Sequence, residues 1–148
     1  MSFFHELSGL GVSDCVIFAG TTPDLSGYYN AADIFVFFPD AEAGSIALLE
    51  AMASALPVIV SDSGGFNEVV DLTCGRLVDR MQSSSIAEAI FELASDRSLR
   101  ERLGENGRRI VVDRFSWDRL AQQLISIIKQ PGGATAQIAK RGLLRWPY

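Results

Sequence analysis

The sequence predicts an α/β fold, a parallel β-sheet with helices flanking it. Three observations point there. Short apolar runs alternate with helix-like stretches through the first half of the chain. The runs CVIFAG (15–20), DIFVFFP (33–39) and PVIV (57–60) read as strands, and DIFVFFP is unbroken, as in a strand covered on both faces. Each run is followed by a loop rich in Gly, Ser, Thr and Asp. With 148 residues, 48% hydrophobic and 21% charged, the chain suits one domain with its own core.

In chain order, residues 2–9 read as the tail of a helix stopped by Gly9 and Gly11. CVIFAG follows as a β-branched and aromatic strand, and Leu25 to Ala32 as a helix. After DIFVFFP, Ser45 to Ala55 carries helix formers, with Ile46, Leu49, Met52 and Ala53 at helical spacing. PVIV is the next strand, Phe66 to Asp71 a short helix, and GRLVD (75–79) a fourth strand. Three helices close the pattern. Ser84 or Ser85 caps one that runs to about Ala94. Asp96 caps the second, with Arg97 and Glu101 as an i, i+4 pair. The third starts near Ser116 and runs to about Lys129. PGGATAQ then breaks the pattern. Residues 1–130 are therefore expected to be a domain and 131–148 a flexible tail. The tail's Lys140, Arg141 and Arg145, with no acid, leave peripheral membrane contact as the other reading.

Net charge is -5, which argues against a general nucleic-acid partner. It leaves room for one anionic small ligand held by backbone amides. The single histidine, His5, makes no triad or zinc cluster and is expected at the surface. Cys15 and Cys74 are expected to be reduced core thiols in a cytoplasmic protein, a disulfide staying open until geometry decides. No run of about 18 apolar residues predicts a transmembrane helix. MSFFHELSGLG has neither the basic region nor the cleavage site of a signal peptide.

In such sheets ligands bind beyond the carboxyl ends of the strands. That rule gathers Gly20 to Asp24, Asp40 to Ser45 and Ser61 to Phe66 on one rim. The loop DAEAG (40–44) leads into a helix whose first amides lack internal acceptors and carry the positive end of the dipole. Gly44 allows close approach by a ligand. Glu42 and Glu50, with seven residues between them, flank those amides. A carboxylate accepts from vicinal hydroxyls, so this helix start can grip phosphates with amides and sugars with acids. A nucleotide-diphosphate sugar has that chemistry. Spacing alone does not separate this from an acid that merely stabilises a helix start. A metal is the weaker reading, because no third acid or His stands nearby.

The wider text YYNAADIFVFFPDAEAGSIALLEAMASALPVIVSDSGGFNEVV, with GVSDCVIFAG before it and DRFSWDRLAQQL near the end, resembles the donor-binding domain of retaining glycosyltransferases of GT-B fold, in the large group with a Glu-x7-Glu motif. The resemblance runs from about Leu7 to Lys129. It implies a Rossmann-like donor half, a nucleotide-diphosphate-sugar donor, transfer of the sugar to an acceptor with retention, and no metal or other cofactor. It places Glu42 on the donor sugar as the catalytic candidate, Glu50 on the ribose, and the amides of Gly44, Ser45 and Ile46 on the diphosphate. Gly20 and Thr21 fall near the base. Glu68 matches the family without an assigned role. It also implies a cytoplasmic setting, with peripheral contact at the inner face of the membrane as an option.

Departures from the pattern qualify this. Ala55 stands where the family has Gly between helix and strand, and Phe38 where it has Pro. Gly44 and Ser45 replace a Phe-Gly pair. The family's acceptor domain, the basic residues that neutralise the diphosphate, and the first two strands of the donor sheet are not in this sequence. Those strands belong between CVIFAG and DIFVFFP. The expectation is a rearranged sheet, pairing with another copy, or reliance on a partner chain carrying the acceptor domain. Whether the chain is active alone stays open. The alternative function is a non-catalytic module of the same lineage, acting in self-association or partner binding, and an epimerase of similar fold is more remote.

Overall fold

In the computed structural model the described residues are 3–39, 45–62 and 65–129. Three strands, β1 (Phe35–Phe37), β2 (Val58–Ser61) and β3 (Gly75–Val78), form a parallel sheet in the order β1-β2-β3. Phe35 faces Val58, Val36 faces Ile59, and Val58 in turn faces Gly75. Ahead of the sheet lie α1 (Phe3–Gly9), a 3-10 turn at Ser13–Cys15, and α2 (Leu25–Ala31). Helix α3 (Ile46–Ala53) crosses from β1 to β2, and α4 (Ser83–Ser95), α5 (Arg97–Phe115) and α6 (Trp117–Ile128) follow β3. The predicted α/β class, with a parallel sheet and flanking helices, is the observed one.

Strand β2 shows why continuous apolar runs predict two covered faces. Val58 and Val60 point into a cluster with Leu48, Ala51 and Met52 of α3, and Val111 of α5. Ile59 points the other way, to Ala89 and Leu93 of α4 and Leu103 of α5. Fully burying each such side chain contributes about 1.5–3 kcal/mol. Helix α5 thus serves both clusters, through Leu103 and Val111. It also tends its neighbours' ends: Arg108 donates to the Ala53 carbonyl at 2.9 Å, and Arg100 to Leu93 and Ala94 at 2.7 and 3.0 Å. Cations on terminal carbonyls oppose the negative end of each helix dipole.

Where α3 leaves for β2, Ala55 takes a left-handed φ of 60°. This is the conformation that the glycine it replaces would favour. Gly104 of α5 passes so close that an added Cβ would lie 1.9 Å from the Ala55 carbonyl oxygen.

Four expectations need correction. CVIFAG is not a strand. The Ser13–Cys15 turn consumes its start, and residues 16–20 run outside the sheet, with Ile17 89% exposed. An apolar run becomes a strand only where a neighbour accepts its backbone hydrogen bonds, and no described strand lies beside it. The run 33–39 pairs only over Phe35–Phe37. Cys15 is exposed rather than core, Cys74 is buried, and both are free thiols. Helix α4 begins at Ser83 with Gln82 at its N-cap, so neither Ser84 nor Ser85 caps it. Asp96 does cap α5, accepting from the Leu99 amide at 2.9 Å, and the Arg97–Glu101 pair forms at 2.8 Å. His5 is exposed. The expected tail, 131–148, lies outside the described residues. Among those described, no helix is long and apolar enough to cross a membrane.

Candidate functional site

The site is built on the start of α3, at the carboxyl end of the parallel sheet. Ser45 is buried, and its hydroxyl accepts from the Leu48 amide at 3.4 Å while its carbonyl accepts from Leu49. That leaves the Ile46 and Ala47 amides with no acceptor among the described residues. They stand at the positive end of the helix, and the Ile46 side chain is 73% exposed.

One turn on, Glu50 is exposed, and no cation pairs with it among the described residues. The Tyr29 hydroxyl of α2 stands 3.2 Å from its Oε2 and 3.4 Å from the Ala47 carbonyl oxygen. Burial, then the hydrogen bond to Glu50 and its charge, push the Tyr29 phenol above its ordinary value. At the end of β2, Ser61 is 1% exposed and its hydroxyl has no partner among the described residues. A buried hydroxyl left unpaired costs about 1–3 kcal/mol.

A cavity of about 390 Å³ opens beside the start of α3. Ser45, Ile46, Gly65, Phe66, Glu68 and Arg114 are among its walls. Arg114 donates to the Glu68 carbonyl at 3.3 Å and lies 5.1 Å over the Phe115 ring. It supplies a cation to a cleft whose other charged wall residue is Glu68. A second cavity, about 370 Å³, lies near the amino ends of β1 and β2, where Arg100 approaches Asp33 at 3.6 Å. It holds none of the expected site residues.

The structure therefore brings Ser45, Ile46 and Glu68 to one cavity, with Glu50 one turn beyond Ile46 on α3 and outside that lining. Gly20, with φ 66°, and exposed Thr21 lie ahead of α2 and do not line the rim cavity. Glu42 and Gly44 lie outside the described residues. Two residues were missed from sequence. Tyr29 reaches Glu50 across the chain, with no local signal. Arg114 stood in the quoted DRFSW text without a role. Ser61 stands at the rim, as expected, and its hydroxyl has no partner among the described residues.

The family described as glycosyl transferases group 1 matches residues 2–110. The chain belongs to the group 1 glycosyltransferases. This group 1 chain is 34% identical over 129 residues to the GDP-mannose-dependent alpha-(1-6)-phosphatidylinositol monomannoside mannosyltransferase of Mycobacterium tuberculosis, covering 80% of the chain and 34% of that relative. The chain spans about a third of the length of the curated relatives it matches. Sucrose-phosphate synthase of Thermosynechococcus elongatus superposes with TM-score 0.79 at 31% identity, over 85% of this chain and 32% of that one. Anabaena HepE, solved in complex with UDP, gives TM-score 0.81 at 25% identity, over 84% and 35%. The C-terminal domain of the Francisella tularensis group 1 protein LpcC gives 0.68 at 32%, over 76% and 60%. The Rossmann-like α/β fold of this group 1 chain is thus that of GT-B glycosyltransferases.

Proposed function

We propose that this chain is the nucleotide-diphosphate-sugar donor-binding part of a retaining glycosyltransferase. The observation that carries the reading is the pair of amides at the start of α3 that have no acceptor among the described residues, one turn before the exposed Glu50 carboxylate. The amides suit a diphosphate and the carboxylate suits vicinal ribose hydroxyls. HepE's capture of UDP supports the reading by relation. Residues 1–130 form the partial donor domain, with Gly44, Ser45 and Ile46 on the phosphates, Gly20 and Thr21 near the base, and Glu42 on the sugar as the catalytic candidate. Departure of the diphosphate builds negative charge, which preorganised amides and the Arg114 guanidinium stabilise without a metal. The acceptor binds a second domain, and the donor implies a cytoplasmic setting, with any membrane contact peripheral.

Calorimetric titration of the purified chain with UDP, GDP and their sugar conjugates tests this. Binding should weaken roughly 10- to 100-fold in Glu50→Ala, as for a lost hydrogen bond to a charged group. A well-folded chain that binds none of them overturns it.

A second reading has its own observation. β1 forms one edge of the sheet among the described residues, and the apolar Ile17 is 89% exposed. Such surface favours a module that associates with a copy of itself. Sedimentation across a concentration series should show dimer formation. A monomer at every concentration overturns this reading.

A further inference from the structure

Tyr29 and Glu50 are 21 residues apart in sequence and sit on different helices, yet their side chains meet. The Tyr29 ring is not free to wander. It packs edge-on against Phe35 at 6.0 Å, Phe35 stacks on Phe37 at 5.8 Å, and Phe37 meets Phe66 edge-on at 6.0 Å. This aromatic row runs from α2 across β1 to the wall of the rim cavity. It fixes the ring and so fixes where the hydroxyl stands. That hydroxyl has one proton to donate. The Ala47 carbonyl at 3.4 Å is a helix carbonyl, while the Glu50 carboxylate at 3.2 Å is both nearer and charged. The carboxylate is the stronger acceptor.

We propose that Tyr29 is a positioning residue for Glu50: it holds Oε2 and leaves Oε1 turned to the vicinal hydroxyls of a bound ribose. The inference rests on reading α3 as a nucleotide-diphosphate site. An exposed glutamate with no cation beside it would otherwise sample several rotamers, and binding would have to order it. A phenol anchored on Phe35, the first ring of that aromatic row, removes that cost before the ligand arrives. Preorganised in this way, the carboxylate discriminates ribose from deoxyribose, because the missing 2′-hydroxyl leaves an acceptor unpaired. Tyr29 then sets sugar specificity without touching the sugar.

A simpler role is also available to this tyrosine, that of a half-buried phenol finding any acceptor. The experiment separates the two. The full 148-residue chain is titrated with UDP and GDP, and with the 2′-deoxy form of each, in the wild type, Tyr29→Phe, Glu50→Ala and the double variant. The wild type is expected to prefer a ribonucleotide over its deoxy form roughly tenfold, a preference that Tyr29→Phe and Glu50→Ala both erase. The double variant should bind like Glu50→Ala alone, the mark of a residue acting through another. If Glu50→Ala erases the preference and Tyr29→Phe keeps it, the positioning role is wrong and the site reading stands. Equal weakening toward both sugars in Tyr29→Phe also overturns it, since that marks packing alone. A folded wild type that binds neither nucleotide, or binds both sugar forms alike, fails at the site reading itself and takes this inference with it. Circular dichroism on each variant confirms folding, and Tyr29→Phe, which keeps the ring contacts, guards against collapse.

Discussion

At the scale of single residues, Ala55 carries the clearest cost. A left-handed φ of 60° places its Cβ against the following carbonyl, which costs about 1–2 kcal/mol. Ala55→Gly relieves that strain but gives the unfolded chain more freedom, worth about 0.4–1 kcal/mol. The expected outcome is a net gain of up to about 1 kcal/mol, read as a higher urea midpoint at unchanged slope. Sequence comparison made this position legible, because a glycine site predicts its own backbone angle. The unaccepted first amides of α3 and the exposed Glu50 were legible for a similar reason, since helix starts follow local rules. The Tyr29 hydroxyl was not. A phenol's partner 21 residues away is set by how α2 packs beside α3, and nothing local encodes it.

Between elements, the contact of α3 with α5 turns on one missing side chain. Glycine inside an exposed helix normally costs about 1 kcal/mol relative to alanine. At Gly104 that preference reverses, because a methyl would meet the Ala55 carbonyl at 1.9 Å and backbone cannot step aside cheaply. Gly104→Ala is expected to destabilise the chain by about 1–3 kcal/mol, seen as a lower urea midpoint. On the far side of the sheet, Arg76 of β3 grips Glu92 of α4 with two bonds, at 2.7 and 2.6 Å, and so ties the edge strand to its covering helix. Three of the four predicted strands form, each beside another. The fourth, CVIFAG, has the right composition and no partner strand, which is why composition misled. Strand propensity describes fitness for a pleated, half-buried surface, and residues 16–20 have none to join.

For the whole molecule, stability against pH has two flanks. The Glu92 carboxyl is held low by its hydrogen bond to Arg76, and Asp71 by its hydrogen bonds to the Thr73 side chain and amide. Depressed carboxyls contribute stability that is present above their unfolded values, about 4, and lost as pH falls through the folded ones. Burial pushes the Cys74 thiol and the Tyr29 phenol upward. Raised groups contribute stability that is complete below their unfolded values, about 8.5 and 10, and lost as pH rises through the folded ones. Thermal unfolding should therefore be level from about pH 5 to 8 and fall on both sides. A midpoint that kept rising below pH 4 would contradict these assignments. The two thiols also make a clock. Cys15 is open to any alkylating reagent, while Cys74 is sealed under the sheet at 0% exposure. The first should label within the mixing time. The second should wait for the core to breathe, at a rate scaled by how rarely the closed form opens. Bound nucleotide would slow only the second. The molecule carries a timer for its own opening beside a reference that never changes pace.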